Sequence, residues 1–151
     1  MHTTNEPSAP IRYSAELEDV DWSGLKAALA SDHFDNGRSP DQLRRSFENS
    51  QGACLAYYGQ EIVGTGRILS DGVCNAYLVD VWTHSTFRRQ EIAREMVRRL
   101  SAQLLGQHVY LQVDEESSEI YRRLGFREQP VGMSRVVGKW LVNEVTAEVE
   151  D

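Results

Sequence analysis

Cysteine, proline and long apolar runs are all scarce in this chain of 151 residues. Its two cysteines, Cys54 and Cys74, are too few for the disulfide framework of a small secreted protein or for a zinc knuckle. We expect both to be buried thiols in a reducing compartment. No apolar run approaches the roughly 18 residues that a membrane-spanning helix needs, and the polar start over residues 1–10 predicts no secretory leader. A cytoplasmic protein without a membrane partner is therefore expected.

Basic residues are also in deficit, with 16 against 23 acidic residues and a net charge of -7. Acidic residues crowd the end of the chain, where residues 143–151 are predicted to form an acidic tail. This balance argues against a nucleic-acid partner. Residues 88–99 run against the trend, with five arginines, two glutamates and a local charge of +3. Such a segment suggests a local anionic ligand, although most charge runs are simply solvated helix faces.

The composition, 40% hydrophobic and 26% charged, is typical of one globular domain. We expect a flexible arm over residues 1–10 and a single domain over residues 11–142. Periodicity and turn residues predict the elements of the first half. These are a strand at 11–14, helices at 21–31 and 41–49, and a hairpin of strands at 52–58 and 62–69.

The next segment, Val73 to Thr83, is apolar on both of its alternating faces, which is typical of a central strand covered on both sides. One predicted face carries Val73, Tyr77, Val79 and Val81, and the other carries Cys74, Ala76, Leu78 and Trp82. The remaining predicted elements are a helix at 91–107, a strand at 108–113, a helix at 117–124 and strands at 126–129 and 133–142. This order predicts a mixed sheet with helices on both faces.

A long strand therefore ends at Thr83, and a helix begins within a few residues. A helix start exposes unpaired backbone amides and the positive end of the helix dipole. With arginines beside it, this junction predicts a cradle for a phosphate or pyrophosphate. Many strand–helix junctions bind nothing, so the junction alone leaves the question open.

Two motifs resemble those of the GNAT superfamily of acyl-CoA-dependent N-acyltransferases. Arg88-Arg89-Gln90-Glu91-Ile92-Ala93 is similar to Arg/Gln-x-x-Gly-x-Gly/Ala, which opens a helix after a long strand. Tyr121-Arg122-Arg123-Leu124-Gly125-Phe126 is similar to Tyr-x-x-x-Gly-Phe in a later helix. The resemblance implies an α/β (mixed α+β) GNAT fold. Its central sheet would be mixed, mostly antiparallel, of about six to seven strands, and flanked by helices on both faces.

The resemblance also implies a function, the transfer of an acetyl group from acetyl-CoA to the amine of a small acceptor by direct attack. The acidic residues outside the cofactor segment favour a cationic acceptor. Acetyl-CoA would be a cosubstrate, no metal would be needed, and a homodimer is a further expectation. The pantetheine arm would lie along the backbone of Val81, Trp82 and Thr83. The pyrophosphate would be held by the segment after it, namely Arg88, Arg89, Gln90, Glu91, Ile92, Ala93 and Arg94. The acceptor pocket would come from residues 20–50 and from the segment after Phe126.

Each candidate catalytic residue also has an alternative, structural interpretation. The resemblance implies that Tyr121 protonates the leaving thiolate, whereas the alternative is a core tyrosine. Asp80, an acid in an apolar strand, is a candidate general base, and its alternative is a salt bridge to an arginine such as Arg67. Asp114, where the family often has asparagine, is a candidate cofactor contact. His84 titrates in a useful range but is more often a structural loop residue.

Glu91 departs from the family pattern, which has glycine. A carboxylate near the phosphates would weaken acetyl-CoA binding by about 5- to 30-fold. An acid in the first helical turn would instead stabilise the free helix by about 0.3–1 kcal/mol, and a side chain paired with Arg88 or Arg94 in solvent would leave catalysis nearly intact. An alternative function therefore stays open, a GNAT-fold protein that has lost or repurposed acetyl transfer and serves in binding, regulation or other chemistry.

Overall fold

The structure, a computed structural model, describes residues 10–88 and 91–141. The predicted acidic tail and, except for Pro10, the predicted N-terminal arm lie outside these residues. Arg89 and Gln90, two of the predicted cofactor contacts, also lie outside them. None of the described helices is long and apolar enough to span a membrane.

A five-stranded sheet forms the centre of the fold, and its spatial order follows the chain. The first four strands pair antiparallel, and the last pair is parallel. The predicted mixed, mostly antiparallel sheet is confirmed, with five strands in the described residues where six to seven were expected. The strands are β1 (Arg12–Ser14), β2 (Gly52–Tyr58), β3 (Glu61–Ser70), β4 (Asn75–Thr83) and β5 (His108–Tyr110).

Helices cover both faces of the sheet, as predicted. They are α1 (Trp22–Ser31), α2 (Pro40–Glu48), α3 (Ile92–Ser101) and α4 (Glu115–Arg123), with a short 3-10 helix at Ser85–Phe87. Helices α1 and α2 bury Leu25, Leu29, Leu43 and Phe47 against one face. Helix α3 buries an apolar stripe against the other face, where α4 adds Tyr121. Two apolar layers therefore enclose β2, β3 and β4.

The predicted strands at 126–129 and 133–142 are wrong as far as residue 141, because no strand is present in the described residues 126–141. A strand requires a neighbouring backbone to pair with, and β5 is only three residues long. The apolar residues that suggested these strands are exposed, Met133 by 93% and Val137 by 79%. Alternating apolar residues were therefore not enough to specify a strand.

The two cysteines differ in environment. Cys54 is buried, and burial raises the pKa of its thiol to about 11. Cys74 is exposed, so the prediction that both are buried is wrong. The reason is that β4 begins only at Asn75. Cys74 lies instead in a turn where the Asp71 carboxylate accepts its backbone N–H at 2.8 Å.

Candidate functional site

The strand β4 is longer than its parallel neighbour. Its pairing with β5 runs from Asn75 to Tyr77, whereas β4 continues to Thr83. Within the described residues, the side of β4 facing β5 therefore has no strand partner from Leu78 onward. An unpaired strand edge can bind an extended chain through its backbone groups. The predicted contacts Val81, Trp82 and Thr83 all lie on this open edge of β4, residues 78–83.

A bulge interrupts β4 at the middle of this open edge. Thr65 pairs with Trp82 and Arg67 with Val79, so two residues of β4, Asp80 and Val81, lie opposite one residue of β3. Asp80 has a left-handed backbone with a φ of 55°, a region that aspartate enters more readily than most residues. Its carbonyl oxygen accepts a hydrogen bond from Oγ1 of Thr65 at 2.8 Å.

The bulge also reverses the alternation of side chains. Ala76 and Leu78 pack on the α3 side of the sheet, whereas Trp82 packs on the α1–α2 side. The prediction that these three side chains share a face is therefore wrong for Trp82, because one extra residue shifts the pattern by one position. Val81 consequently packs on the α3 side.

Asp80 forms two ion pairs. Its carboxylate receives a two-pronged contact from Arg38, with both N–O distances 3.0 Å, and a hydrogen bond from Nε of Arg67 at 2.5 Å. Burial alone would raise its pKa, but the hydrogen bonds and charges of Arg38 and then Arg67 outweigh it and lower the pKa. The alternative of a salt bridge to Arg67 is therefore present, with Arg38 as a second partner. A carboxyl with a lowered pKa is a weak base, so the predicted role of Asp80 as base stays a prediction that its contacts disfavour.

The N-terminus of α3 lies just beyond the open edge of β4. Among the four α-helices in the described residues, α3 is the one whose N-cap residue, here Glu91, accepts no hydrogen bond through its side chain from a backbone amide of the first turn. The amides of Ile92, Ala93 and Arg94 belong to its first turn, where helices leave N–H groups without an internal partner. Ile92 offers only its backbone, because its side chain is buried in the core. This uncapped end is suited to bind an anion.

Glu91 immediately precedes that first turn in a left-handed conformation, with a φ of 62° and a ψ of 16°. Glycine adopts this conformation without steric cost, which explains why the resembling motif has glycine here. The Glu91 side chain is 72% exposed, and its carboxylate is 3.3 Å from Nη1 of Arg94. The expected pairing in solvent is thus present. The expected stabilisation from the first helical turn is wrong, because Glu91 lies before that turn and makes no capping hydrogen bond.

Arg88 contacts the end of the open edge. Its Nε donates to the carbonyl oxygen of Thr83 at 3.3 Å, and its Nη2 is 3.9 Å from the carboxylate of Asp32. The Thr83 hydroxyl is buried and has no hydrogen-bond partner among the described residues. Arg88 precedes and Arg94 follows the start of α3 in the chain, and their guanidinium groups lie near the carboxylates of Asp32 and Glu91 respectively.

Tyr121 begins the second motif, and Asp114 lies seven residues before it, at the start of α4. Tyr121 is 9% exposed, and its ring packs edge-on against Phe126 with ring centres 5.8 Å apart. Burial, with a smaller effect from the Asp114 charge, raises the pKa of Tyr121 to about 12. Asp114 caps α4 by accepting the Ser117 amide at 2.9 Å. Its contact with a cofactor stays a prediction, as does the catalytic role of Tyr121.

A cleft of about 970 Å³ lies between the segment joining β1 to α1, the β2–β3 hairpin and the end of β4. Four acidic residues line it, namely Glu16, Asp19, Asp21 and Glu61. The guanidinium of Arg12, also in the lining, lies 4.2 Å from the ring centre of Tyr57. The cleft overlaps the predicted acceptor region only in residues 21–28. It reaches His84, the residue that follows β4. Nδ1 of His84 accepts the Thr86 amide at 3.2 Å, a structural contact.

No group of three or more histidine, cysteine, aspartate or glutamate side chains in residues 10–88 and 91–141 could hold a metal ion.

The fold of this chain is shared with known proteins. The model of the acetyltransferase (GNAT) family matches residues 16–126. A candidate acetyltransferase from Deinococcus radiodurans has a TM-score of 0.75 at 24% identity, covering 88% of this chain and 93% of its own. Glucosamine-6-phosphate N-acetyltransferase from Arabidopsis thaliana has a TM-score of 0.68 at 18% identity, covering 84% of this chain and 98% of its own.

A third solved structure contains the cosubstrate implied by the resemblance. It is a predicted acetyltransferase with acetyl-CoA from Clostridium acetobutylicum, with a TM-score of 0.64 at 20% identity, covering 84% of this chain and 96% of its own. At these identities the solved structures show a shared fold. No curated protein matches the chain.

Proposed function

The chain belongs to the GNAT acetyltransferase family, and from this premise we propose that it transfers the acetyl group of acetyl-CoA to the nitrogen of a small, cationic amine. The observation that carries the proposal is the open edge of β4, which leads directly to the uncapped N-terminus of α3. A homodimer, a cytoplasmic location and the absence of a nucleic-acid partner remain predictions.

The open edge and the helix end suit the two halves of acetyl-CoA. Residues 78–83 span about 20 Å of strand, along which the amides of an extended pantetheine arm can pair. The pyrophosphate would then meet the free amides of α3 between Arg88 and Arg94. The buried Thr83 hydroxyl, which lacks a partner in the described residues, is a polar group that a bound ligand would satisfy. These features support acetyl-CoA as the cosubstrate.

The protein must contribute to the reaction in three ways. The amine nitrogen attacks the thioester carbon, so a C–N bond forms while the C–S bond breaks, and the amine proton must be removed. The carbonyl oxygen gains negative charge, which a backbone amide near Val81 would stabilise. The sulfur leaves as a thiolate, to which the hydroxyl of Tyr121 would donate. The amine proton leaves through water or through Asp80, two routes that a pH profile separates.

The acidic cleft supports a cationic acceptor. Four carboxylates against one arginine give its lining a negative charge, which attracts cations and disfavours anions. The cleft begins at His84, three residues along the chain from Val81, and three strand residues span about 10 Å. An extended diamine can bridge that length, with one amine at the thioester and the other among the carboxylates. We therefore favour a diamine or polyamine within the cationic class.

Thiol release from acetyl-CoA tests the proposed function across a panel of neutral amines, amino acids, polyamines and aminoglycosides. We expect saturable release with polyamines, at a kcat/KM about 10-fold above that of alkyl monoamines of similar length, which lack the additional positive charges. Preference for a neutral or anionic acceptor would contradict the cationic class. If no amine accelerates release above hydrolysis while acetyl-CoA still binds, the alternative of a binding or regulatory protein would be favoured.

Charge removal in the cleft tests the acceptor site. We expect Asp19→Asn combined with Glu61→Gln to raise the KM for a polyamine by about 5- to 30-fold, because two partly solvated attractions of about 0.5–1 kcal/mol each are lost. The kcat should change little, because neither residue is near the open edge of β4. Glu48→Gln removes an acid from the end of α2, outside the cleft, and should leave KM unchanged. Equal effects in the control would show that only net charge matters.

A further inference from the structure

The bulge residue Asp80 is the centre of a buried ion cluster with Arg38 and Arg67. The three side chains are only 8%, 11% and 12% exposed for Arg38, Asp80 and Arg67 respectively. They come from three segments, since Arg38 lies in the loop between α1 and α2, Arg67 in β3 and Asp80 in β4. The ion cluster therefore ties the bulge to both the sheet and the helical layer.

Both the side chain and the backbone carbonyl group of Asp80 are held by hydrogen bonds. Its side chain is held by the two arginines, and its carbonyl oxygen is held by Thr65, which is 1% exposed. A left-handed backbone in a residue other than glycine is strained and persists only when the surrounding structure enforces it. These contacts supply that enforcement, so the conformation of the bulge depends on the ion cluster.

The two arginines are themselves anchored. Nε of Arg38 donates to Oδ1 of Asn36 at 2.8 Å, and the next residue, Ser39, begins the capping box of α2. Nη1 of Arg67 donates to Oγ of Ser50 at 3.2 Å. The donors that face Asp80 are thus held in place by the protein. Two guanidinium groups against one carboxylate leave a net charge of +1 beside the bulge.

We propose that Asp80 is a positioning residue, which together with Arg38 and Arg67 sets the backbone amide of Val81 against the acyl carbonyl oxygen and does not accept the amine proton. This inference rests on the proposed acetyl transfer. The carbonyl oxygen becomes negative during attack, so the excess positive charge of the ion cluster would add to its stabilisation by the Val81 amide. A general base needs a carboxylate that is free to accept a proton, whereas the carboxylate of Asp80 is already bound by the two arginines.

Asp80→Asn separates positioning from proton transfer. The asparagine side chain keeps the shape of aspartate but lacks the negative charge that holds both guanidinium groups. We expect kcat to fall about 10- to 100-fold, the KM for acetyl-CoA to change less than about 3-fold, and the pH–rate profile to keep its acidic limb. Disappearance of that limb would assign Asp80 as the base and overturn the proposal, as would an unchanged kcat.

Arg38→Lys provides a second variant should Asp80→Asn fail to fold. Lysine keeps the charge but loses the two-pronged geometry, so we expect a comparable fall in kcat with the pH profile retained. Arg44→Lys is the matched control, because Arg44 makes ion pairs with Asp41 and Glu48 on exposed α2 and should be as active as the original chain. A fully active Arg38→Lys would overturn the positioning role.

Amide hydrogen exchange at Val81 and Trp82 tests the bulge without relying on activity. We expect faster exchange at these amides in Arg38→Lys than in Arg44→Lys, because the bulge is less constrained. Suppose that the original chain releases no thiol with any amine while exchange still rises in Arg38→Lys. That result would contradict acetyl transfer as the proposed function, but it would still show that the ion cluster holds the bulge. Unchanged exchange would overturn the positioning role in either case.

Discussion

Replacing Tyr121 with phenylalanine should lower kcat by about 10- to 100-fold while leaving the affinity for acetyl-CoA nearly unchanged. The substitution removes only the hydroxyl and keeps the ring that packs against Phe126. A hydrogen bond to a charged group contributes about 1.5–3 kcal/mol, and a loss of that size in the transition state gives the predicted fall. Steady-state thiol release and a calorimetric titration with acetyl-CoA measure the two quantities.

The raised pKa of Tyr121, about 12, defines how it would act. The phenol stays protonated at any pH below that value, so the rate should not fall through its deprotonation in the neutral or mildly alkaline range. A free thiol has a pKa of about 8.5, so complete proton transfer from Tyr121 to the thiolate is uphill. The expected contribution is therefore a hydrogen bond to the developing thiolate.

The control for this variant is Tyr110→Phe. The Tyr110 hydroxyl lies 3.0 Å from Nδ1 of His108, and the residue is 42% exposed at the edge of the sheet. We expect Tyr110→Phe to retain full turnover. If Tyr121→Phe also retains full turnover but melts at a lower temperature, Tyr121 is a core tyrosine and the acid role is wrong.

Replacing Glu91 with glycine should tighten acetyl-CoA binding by about 5- to 10-fold at low salt. The exposed carboxylate is already paired with Arg94, so the repulsion removed lies at the lower end of the sequence-based estimate of about 5- to 30-fold. The gain should shrink as salt rises, because screening weakens the same repulsion. Calorimetric titrations at two ionic strengths measure it.

The stability of the free protein should rise in the same variant by up to about 1 kcal/mol. Glu91 occupies a left-handed conformation that costs a residue with a side chain about 1–2 kcal/mol, whereas glycine avoids this cost but loses more entropy on folding. From the sequence alone the opposite sign was expected, because Glu91 was assigned to the first helical turn. Thermal melting checks the sign.

Glu91→Gln separates charge from backbone conformation. Glutamine removes the negative charge but keeps the strained side chain, so we expect most of the affinity gain without the gain in stability. If Glu91→Gly melts lower than the original chain, residue 91 is not left-handed in solution. Unchanged affinity in both variants would place the phosphates away from residue 91.

Local patterns predicted much of this fold. The hairpin residues Gly59 and Gln60 fixed β2 and β3 to within one residue of their observed ends, because turn chemistry and period-two alternation act locally. The apolar stripe of Ile92, Met96 and Leu100 placed α3 on the sheet for a similar reason. Two spaced motifs then identified the family, since their order reflects the order of the elements.

Those local patterns could not predict contacts between residues that are far apart in the chain. The bulge at Asp80 adds one residue to β4, and nothing in an apolar strand of that composition marks where the alternation reverses. Arg38 was missed because it lies 42 positions from Asp80 in the chain. The one available signal was that a buried aspartate requires a cationic partner, which suggested Arg67 but could not select Arg38.

The most direct test of acetyl transfer uses acetyl-CoA labelled in its acetyl group together with the polyamine that gives the highest thiol release. Mass spectrometry of the acceptor and quantitation of free CoA follow one reaction mixture over time. We predict that the label appears on the amine nitrogen in amounts equal to the thiol released. Label that remains in acetyl-CoA, or appears only as free acetate, would contradict acetyl transfer to an amine.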